Sequence, residues 1–230
     1  MIVNRMHGQT ESGQTLKAFP ALSPNRKGRL AEAAVALLAL ALTAGCGTTR
    51  PIKYYELTAP AGLAPATAQT LPITIIVGLP AAPDLYRDNR VVYSIGDQQM
   101  GAYEYERWIG PPPELIRDVF VRNLRASGHY AGVYAPQASS AGDYSLRMRL
   151  YDFREQDSGG GTLAGRLSMD VELRNIKTGE TVWQHYYNHD EPISAKTVPD
   201  VVAALNRNVQ MAANDVASGI DQYFAAHPPK

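Results

Sequence analysis

The chain has 230 residues, 45% of them hydrophobic and 19% charged, which is the composition of one generous folded domain and not of a disordered polymer. Lysine plus arginine equals aspartate plus glutamate, 22 each, so there is no basic excess to neutralise nucleic-acid phosphates. A single cysteine excludes an internal disulfide and a cysteine-rich zinc site.

The N-terminal stretch reads as an address. Residues 1–25 are polar and aperiodic, then Arg26, Lys27 and Arg29 precede an apolar run from Leu30 to Leu42 that only Glu32 interrupts. Thr43, Ala44 and Gly45 follow, and then Cys46. Basic cluster, short apolar run and small residues together describe a secretory signal peptide, and the run is shorter than a bilayer span. With cysteine directly after Ala44-Gly45, the segment resembles the lipobox of bacterial lipoproteins, although Thr43 stands where that motif usually has leucine. The resemblance implies diacylation of the Cys46 sulfur, removal of residues 1–45 as leader, and acylation of the new amino terminus. Several acyl chains hold a protein on a membrane without spanning it. Gly47 after the cysteine, in place of Asp, points to the outer membrane over the inner. From Cys46 onward there are 17 basic and 20 acidic residues, a net charge of −3.

Residues 46–70 are rich in Ala, Thr and Pro and read as a lipidated flexible tether, with Tyr54, Tyr55 and Leu57 as a candidate first short strand. The β-branched run Leu71 to Leu79 predicts a buried strand, and Val91 to Ile95 with Met100 to Trp108 predicts a hairpin around Gly96 and Asp97. Pro111 to Pro113 open a helix whose Leu115, Ile116, Val119, Phe120 and Leu124 recur at helical spacing, and Gly128 closes it. A short strand at Tyr130 to Tyr134 and a loop over Ala138 to Gly142 come next.

Two long strands are written in alternation: Tyr144, Leu146, Met148 and Leu150 against Ser145, Arg147 and Arg149, then Leu167, Met169, Val171 and Leu173 against Ser168, Asp170, Glu172 and Arg174. One face is buried and the other solvated or turned to a partner, with Arg147 and Arg149 able to pair with Asp170 and Glu172. Lys177-Thr178-Gly179 turns into a third strand, Glu180 to Asn188. The last helix starts at a Thr197/Asp200 capping box with Pro199 in its first turn, and its stripe runs from Val198 through Val202, Leu205, Val209, Ala212, Val216 and Ile220 to Tyr223. The expected architecture is a single α+β domain over 71–230, a largely antiparallel sheet with two helices packed on one face.

Catalytic and metal motifs do not assemble. Gly159-Gly160-Gly161 lacks the Gly-Lys-Ser/Thr ending of a phosphate loop. His185 and His189 would lie roughly 13 Å apart along a strand, too far to share an ion. Asp152, Glu155 and Asp157 near a hairpin tip lack the calcium-loop pattern. No enzyme, cofactor or metal is expected. Aromatic residues are more suggestive: Tyr103, Tyr105 and Trp108, with Arg107 among them, are the candidate partner-binding residues, and Tyr186 with Tyr187 forms a second group.

The order of these features resembles a known family. Tyr54-Tyr55-x-Leu57, the strand ending Val77-Gly78, Pro80 and Pro83, Arg90-Val91-Val92-Tyr93, and Tyr105-Glu106-Arg107-Trp108 before Pro111, Pro112 and Glu114-Leu115 are similar to the ABC-type transport auxiliary lipoproteins, the PqiC-like family. Gly110 and the triple proline depart from its usual pattern. The resemblance implies a non-catalytic, lipid-anchored protein facing the periplasm, more at the outer membrane than the inner. It implies an MCE-domain substrate-binding protein and an inner-membrane permease or ATPase as partners, in transport of lipids or other hydrophobic molecules. A lipid-binding carrier and an assembly factor for another envelope machine are the alternatives. Self-association into a homo-oligomer stays open.

Overall fold

The computed structural model describes residue 35 and residues 50–59, 70–96, 98–136, 141–159 and 162–229. The leader apart from Val35, the lipobox with Cys46, most of the tether, Asp97, residues 138–140 of the expected loop over Ala138 to Gly142, and Gly160 and Gly161 lie outside the described residues. Among the described residues no helix is long and apolar enough to cross a membrane.

Among the described residues from Arg50 onward, eight strands and two α-helices follow in the order β1 (Lys53–Tyr55), β2 (Leu71–Val77), β3 (Arg90–Ile95), β4 (Gln99–Trp108), α1 (Pro112–Ser127), β5 (Tyr130–Tyr134), β6 (Tyr144–Asp157), β7 (Leu163–Asn175), β8 (Thr181–Pro192) and α2 (Val198–Ala226), with a 3-10 turn at Asp84–Tyr86 between β2 and β3. They form one α+β domain with an open mixed sheet. The long strands are antiparallel, β3 with β4, β6 with β7 and β7 with β8, while the shorter pairings β1–β4, β2–β5, β2–β6 and β3–β6 are parallel. Strand β6 is the common member. One of its edges carries β7 along its whole length. Its other edge takes β2 at Tyr144–Leu146, an isolated bridge from Ala81 at Arg149, and β3 at Glu155–Asp157.

Each helix begins and ends where its local chemistry dictates. Pro111 caps α1 with φ already near the helical value, and prolines in the first turn forfeit only N–H groups that have no intrahelical acceptor. Gly128 ends it at φ 69°, a left-handed position where a side chain would be strained. Ile116, Val119, Phe120 and Leu124 are the buried face. At the start of α2 the Thr197 hydroxyl accepts the Asp200 N–H at 3.4 Å and donates to the Asp200 carboxylate. The box is therefore closed through the two side chains, because the Thr197 N–H is taken by the Ala195 carbonyl at 2.9 Å.

Helix α2 packs on β7 and β8 and α1 on β5, and the two helices touch each other. Leu167, Met169, Val171 and Leu173 of β7 meet Leu205, Val209, Val216 and Ile220 in the same core, all fully buried. Glycine allows the closest approach: a Cβ on Gly165 would lie 3.0 Å from both the Ala204 Cβ and the Leu205 backbone nitrogen. Beside it, fully buried Asn208 acts as a polar clasp. Its Nδ2 donates to the Gly165 and His189 carbonyls, each at 2.9 Å, and its Oδ1 accepts the Tyr187 hydroxyl at 2.7 Å.

Two strands outrun their sequence pattern. Strand β6 continues through a register shift between Leu150 and Asp152, which places the acidic residues expected near a hairpin tip on the strand itself. Strand β8 continues to Pro192 because its charged end has partners: Arg166 grips Asp190 through two bonds of 2.7 and 2.6 Å, and Arg207 donates to Glu191 at 2.8 Å. Arg166 and Arg207 hold those two carboxyls below their usual range.

Candidate docking surface

The four residues marked for partner binding lie on β4. Trp108 is 1% exposed and packs in the core with its ring centroid 5.3 Å from that of Phe153. Tyr103 is half-buried, meets the Tyr93 ring at a tilt with centroids 4.9 Å apart, and donates its hydroxyl to Glu155 at 2.8 Å. Burial, and then that carboxylate, push the Tyr103 hydroxyl well above its ordinary range. Arg107 is half-buried and donates to the Asn89 Oδ1 at 3.1 Å, while its Nε is buried without a hydrogen-bond partner. Tyr105 is half-buried under the Arg50 guanidinium, 5.6 Å from the ring centroid. Between them Glu106, part of the Tyr105-Glu106-Arg107-Trp108 motif, is 4% exposed. It accepts the Tyr55 hydroxyl at 2.5 Å and the Lys53 ammonium at 3.2 Å, fastening β1 to β4. Burial first, then the Glu106 bond, push the Tyr55 hydroxyl up to about 12. The side chains of this strand are thus engaged with one another and with their neighbours in the sheet.

A second aromatic group is differently placed. Tyr187 faces α2 and is held by Asn208, whereas its neighbour Tyr186 points to the opposite face and is 58% exposed. Register puts Arg149 of β6, Asp170 of β7 and Tyr186 of β8 in one row across three strands, and Arg147, Glu172 and Gln184 in the next. The cross-strand charge pairs expected from the alternation therefore stand directly opposite one another. Tyr151, 42% exposed at the bulge of β6, donates its hydroxyl to Asp170 and meets Tyr186 edge-on at 6.4 Å. Ser168 lies 3.1 Å from the Tyr186 hydroxyl. The helix-free face of the β6–β7–β8 sheet thus presents two exposed tyrosines among alternating arginines and carboxylates. Alternation alone marked this face. What it could not show is that the bulge would bring Tyr151 to Tyr186.

The histidines singled out in the sequence lie apart from this face or at its edge, each with a neighbour of its own. His185 stacks on Trp183 with ring centroids 5.9 Å apart, and His189 lies 3.3 Å from Glu191. Among the described residues no group of three or more metal-ligating side chains clusters. His129 and Tyr130 both bind Asp221, at 2.6 and 2.5 Å, an arrangement that ties the start of β5 to the last turns of α2.

The tyrosine- and arginine-bearing sheet face thus lies opposite the helix-backed core of an α+β domain. The chain belongs to the family of the ABC-type transport auxiliary lipoprotein component, whose family model matches residues 55–217. Protein XCC0632 from Xanthomonas campestris has a similar fold, with a TM-score of 0.68 at 18% identity over 76% of this chain and 99% of that one. A second crystal structure, of an uncharacterized protein, matches with a TM-score of 0.59 at 19% identity over 74% of this chain and 99% of that one. No curated protein matches the sequence.

Proposed function

We propose that this protein is a non-catalytic lipoprotein of an ABC-type intermembrane transport system, anchored through Cys46 and facing the periplasm, at the outer membrane in preference to the inner. It docks the MCE-domain protein of that system, which moves lipid or another hydrophobic molecule. The observation that carries this reading is the family match across residues 55–217. The exposed row of Arg149, Asp170 and Tyr186 with Tyr151 is the docking surface, because interfaces favour large amphipathic rings and arginine with partners already in place. The β4 residues Tyr103, Tyr105, Arg107 and Trp108 support the sheet that carries it.

The test is affinity capture from mildly solubilised membranes with wild type, Cys46→Ser, and a Tyr151→Ala/Tyr186→Ala double variant. Wild type should retain an MCE-domain protein, and both variants should retain less of it, with the double variant still in the membrane fraction. Undiminished capture by the double variant would remove this surface from the interface. Capture of a different envelope complex, or phospholipid in native mass spectra of the domain, would replace the docking reading with the assembly-factor or lipid-carrier one.

A further inference from the structure

Three residues, Gly47, Thr48 and Thr49, separate Cys46 from Arg50, the start of the folded domain's described chain. A fully extended backbone advances at most about 3.6 Å per residue, so Cys46 is tied within about 14 Å of Arg50. Arg50 is itself docked on the sheet, over the Tyr105 ring at 5.6 Å and 3.9 Å from Glu106. The acyl chains leave this domain at one defined edge.

That edge is apolar where a membrane would meet it. Ile52 is 44% exposed, Tyr54 60% and Ile109 55%. Ile109 adjoins the end of β1 through its N–H, which donates to the Tyr55 carbonyl at 2.8 Å. Tyrosine is favoured at lipid headgroup depth, where its ring is apolar and its hydroxyl wet. Arg50 and Lys53 balance Glu106 and the exposed Glu56, leaving the edge without net negative charge to repel anionic lipid. The headgroup layer is roughly 5–8 Å thick on each side of the hydrocarbon, a depth that this short link brings within reach.

We infer that the β1 edge, through Ile52, Tyr54 and Ile109 with Arg50 and Lys53 beside them, rests on the headgroup layer of the membrane that holds Cys46. The inference depends on the lipid anchor proposed above. It places the docking row away from the lipid: β8 lies five strand spacings from β1 through β4, β3, β6 and β7, about 24 Å at about 4.8 Å per spacing. A short link and an apolar edge orient the domain, and the membrane needs no further binding site on it.

The single cysteine gives a clean test with the full lipidated protein. Tyr54→Cys, Ile109→Cys and, as control, Tyr186→Cys are labelled with bimane and reconstituted in vesicles of phosphatidylethanolamine and phosphatidylglycerol with doxyl-labelled lipid. Wild type should take no label, its only thiol being acylated. Quenching should be several-fold stronger at positions 54 and 109 than at 186. Unlabelled wild type with equal quenching at all three positions would overturn the orientation and leave the anchor standing. Labelled wild type would show Cys46 as a free thiol and overturn the anchor and the orientation together.

Discussion

Replacing Asn208 removes a clasp whose three bonds reach two strands from one helix. In Asn208→Ala the Tyr187 hydroxyl loses its acceptor, and the Gly165 and His189 carbonyls lose their donor, in a site from which the 0% exposure of Asn208 shows that water is excluded. A net hydrogen bond is worth about 1 kcal/mol, and a buried group left unsatisfied costs about 1–3 kcal/mol. A backbone carbonyl tolerates the loss of a partner better than a buried hydroxyl does, so the tyrosine hydroxyl carries the larger penalty and the total comes to about 3–5 kcal/mol. Against a typical stability of about 5–15 kcal/mol this is a large fraction. Urea unfolding of the non-lipidated Cys46→Ser chain, with and without the substitution, measures it. Asn208→Asp separates bonding from volume. It keeps the size and the acceptor for Tyr187 but points an anionic oxygen at two carbonyls, which raises its folded pKa above the unfolded value of about 3.9. The stability of that variant is then greatest below pH about 4 and falls as pH rises through the raised folded value. A loss under 1 kcal/mol for the alanine variant, or an aspartate variant with a pH dependence no different from the parent, would refute the clasp.

Trp108→Ala should cost about 3–5 kcal/mol in the same urea assay by opening a cavity against Phe153, whereas Tyr186→Ala, on the exposed face, should stay within about 0.5 kcal/mol. Gly165→Val should destabilise by about 1–3 kcal/mol or more, because its new Cβ meets the Leu205 backbone nitrogen, which cannot swing aside as a side chain would; thermal melts report it. Alkali should unfold the domain cooperatively. Tyr55, Tyr103 and Tyr130 donate to Glu106, Glu155 and Asp221, and all three have folded pKa values raised above the ordinary 10. Their contribution is complete below pH 10 and lost as pH rises through about 12 and beyond, where each hydroxyl would become a second anion beside a carboxylate. Tyrosinate absorbance and circular dichroism should change together across that window.

Local rules accounted for what local chemistry controls. The stripe of Val198 to Tyr223, the stop at Gly128 and the alternation of Tyr144 to Leu150 each state a period or a backbone preference, and each element stands where that pattern puts it. The parallel partners of β1 and β2 were not legible, because nothing in Lys53–Tyr55 or Leu71–Val77 names the distant strand that completes its ladder. The same is true of side-chain direction on β4. Tyr103, Tyr105 and Trp108 look like one aromatic group in sequence, yet Trp108 turns into the core and Tyr103 spends its hydroxyl on Glu155. Glu106 gave no signal of burial, since its partners Tyr55 and Lys53 stand 51 and 53 residues earlier in the chain. Tyr151 continues the outward series of Ser145, Arg147 and Arg149, but the register shift beside it, where its hydroxyl meets Asp170, is not written in the alternation.

The parallel pairings also set a timetable. Lys53 waits for Glu106, Leu71 for Tyr130 and Ile75 for Tyr144, so neither of the first two strands has a ladder to join until much of the chain exists. Such distant closures are slow to form. The lipid anchor proposed above requires export, and a chain threaded outward with its N-terminus leading would benefit from that delay: its first two strands would stay unpaired in transit until β4, β5 and β6 followed them.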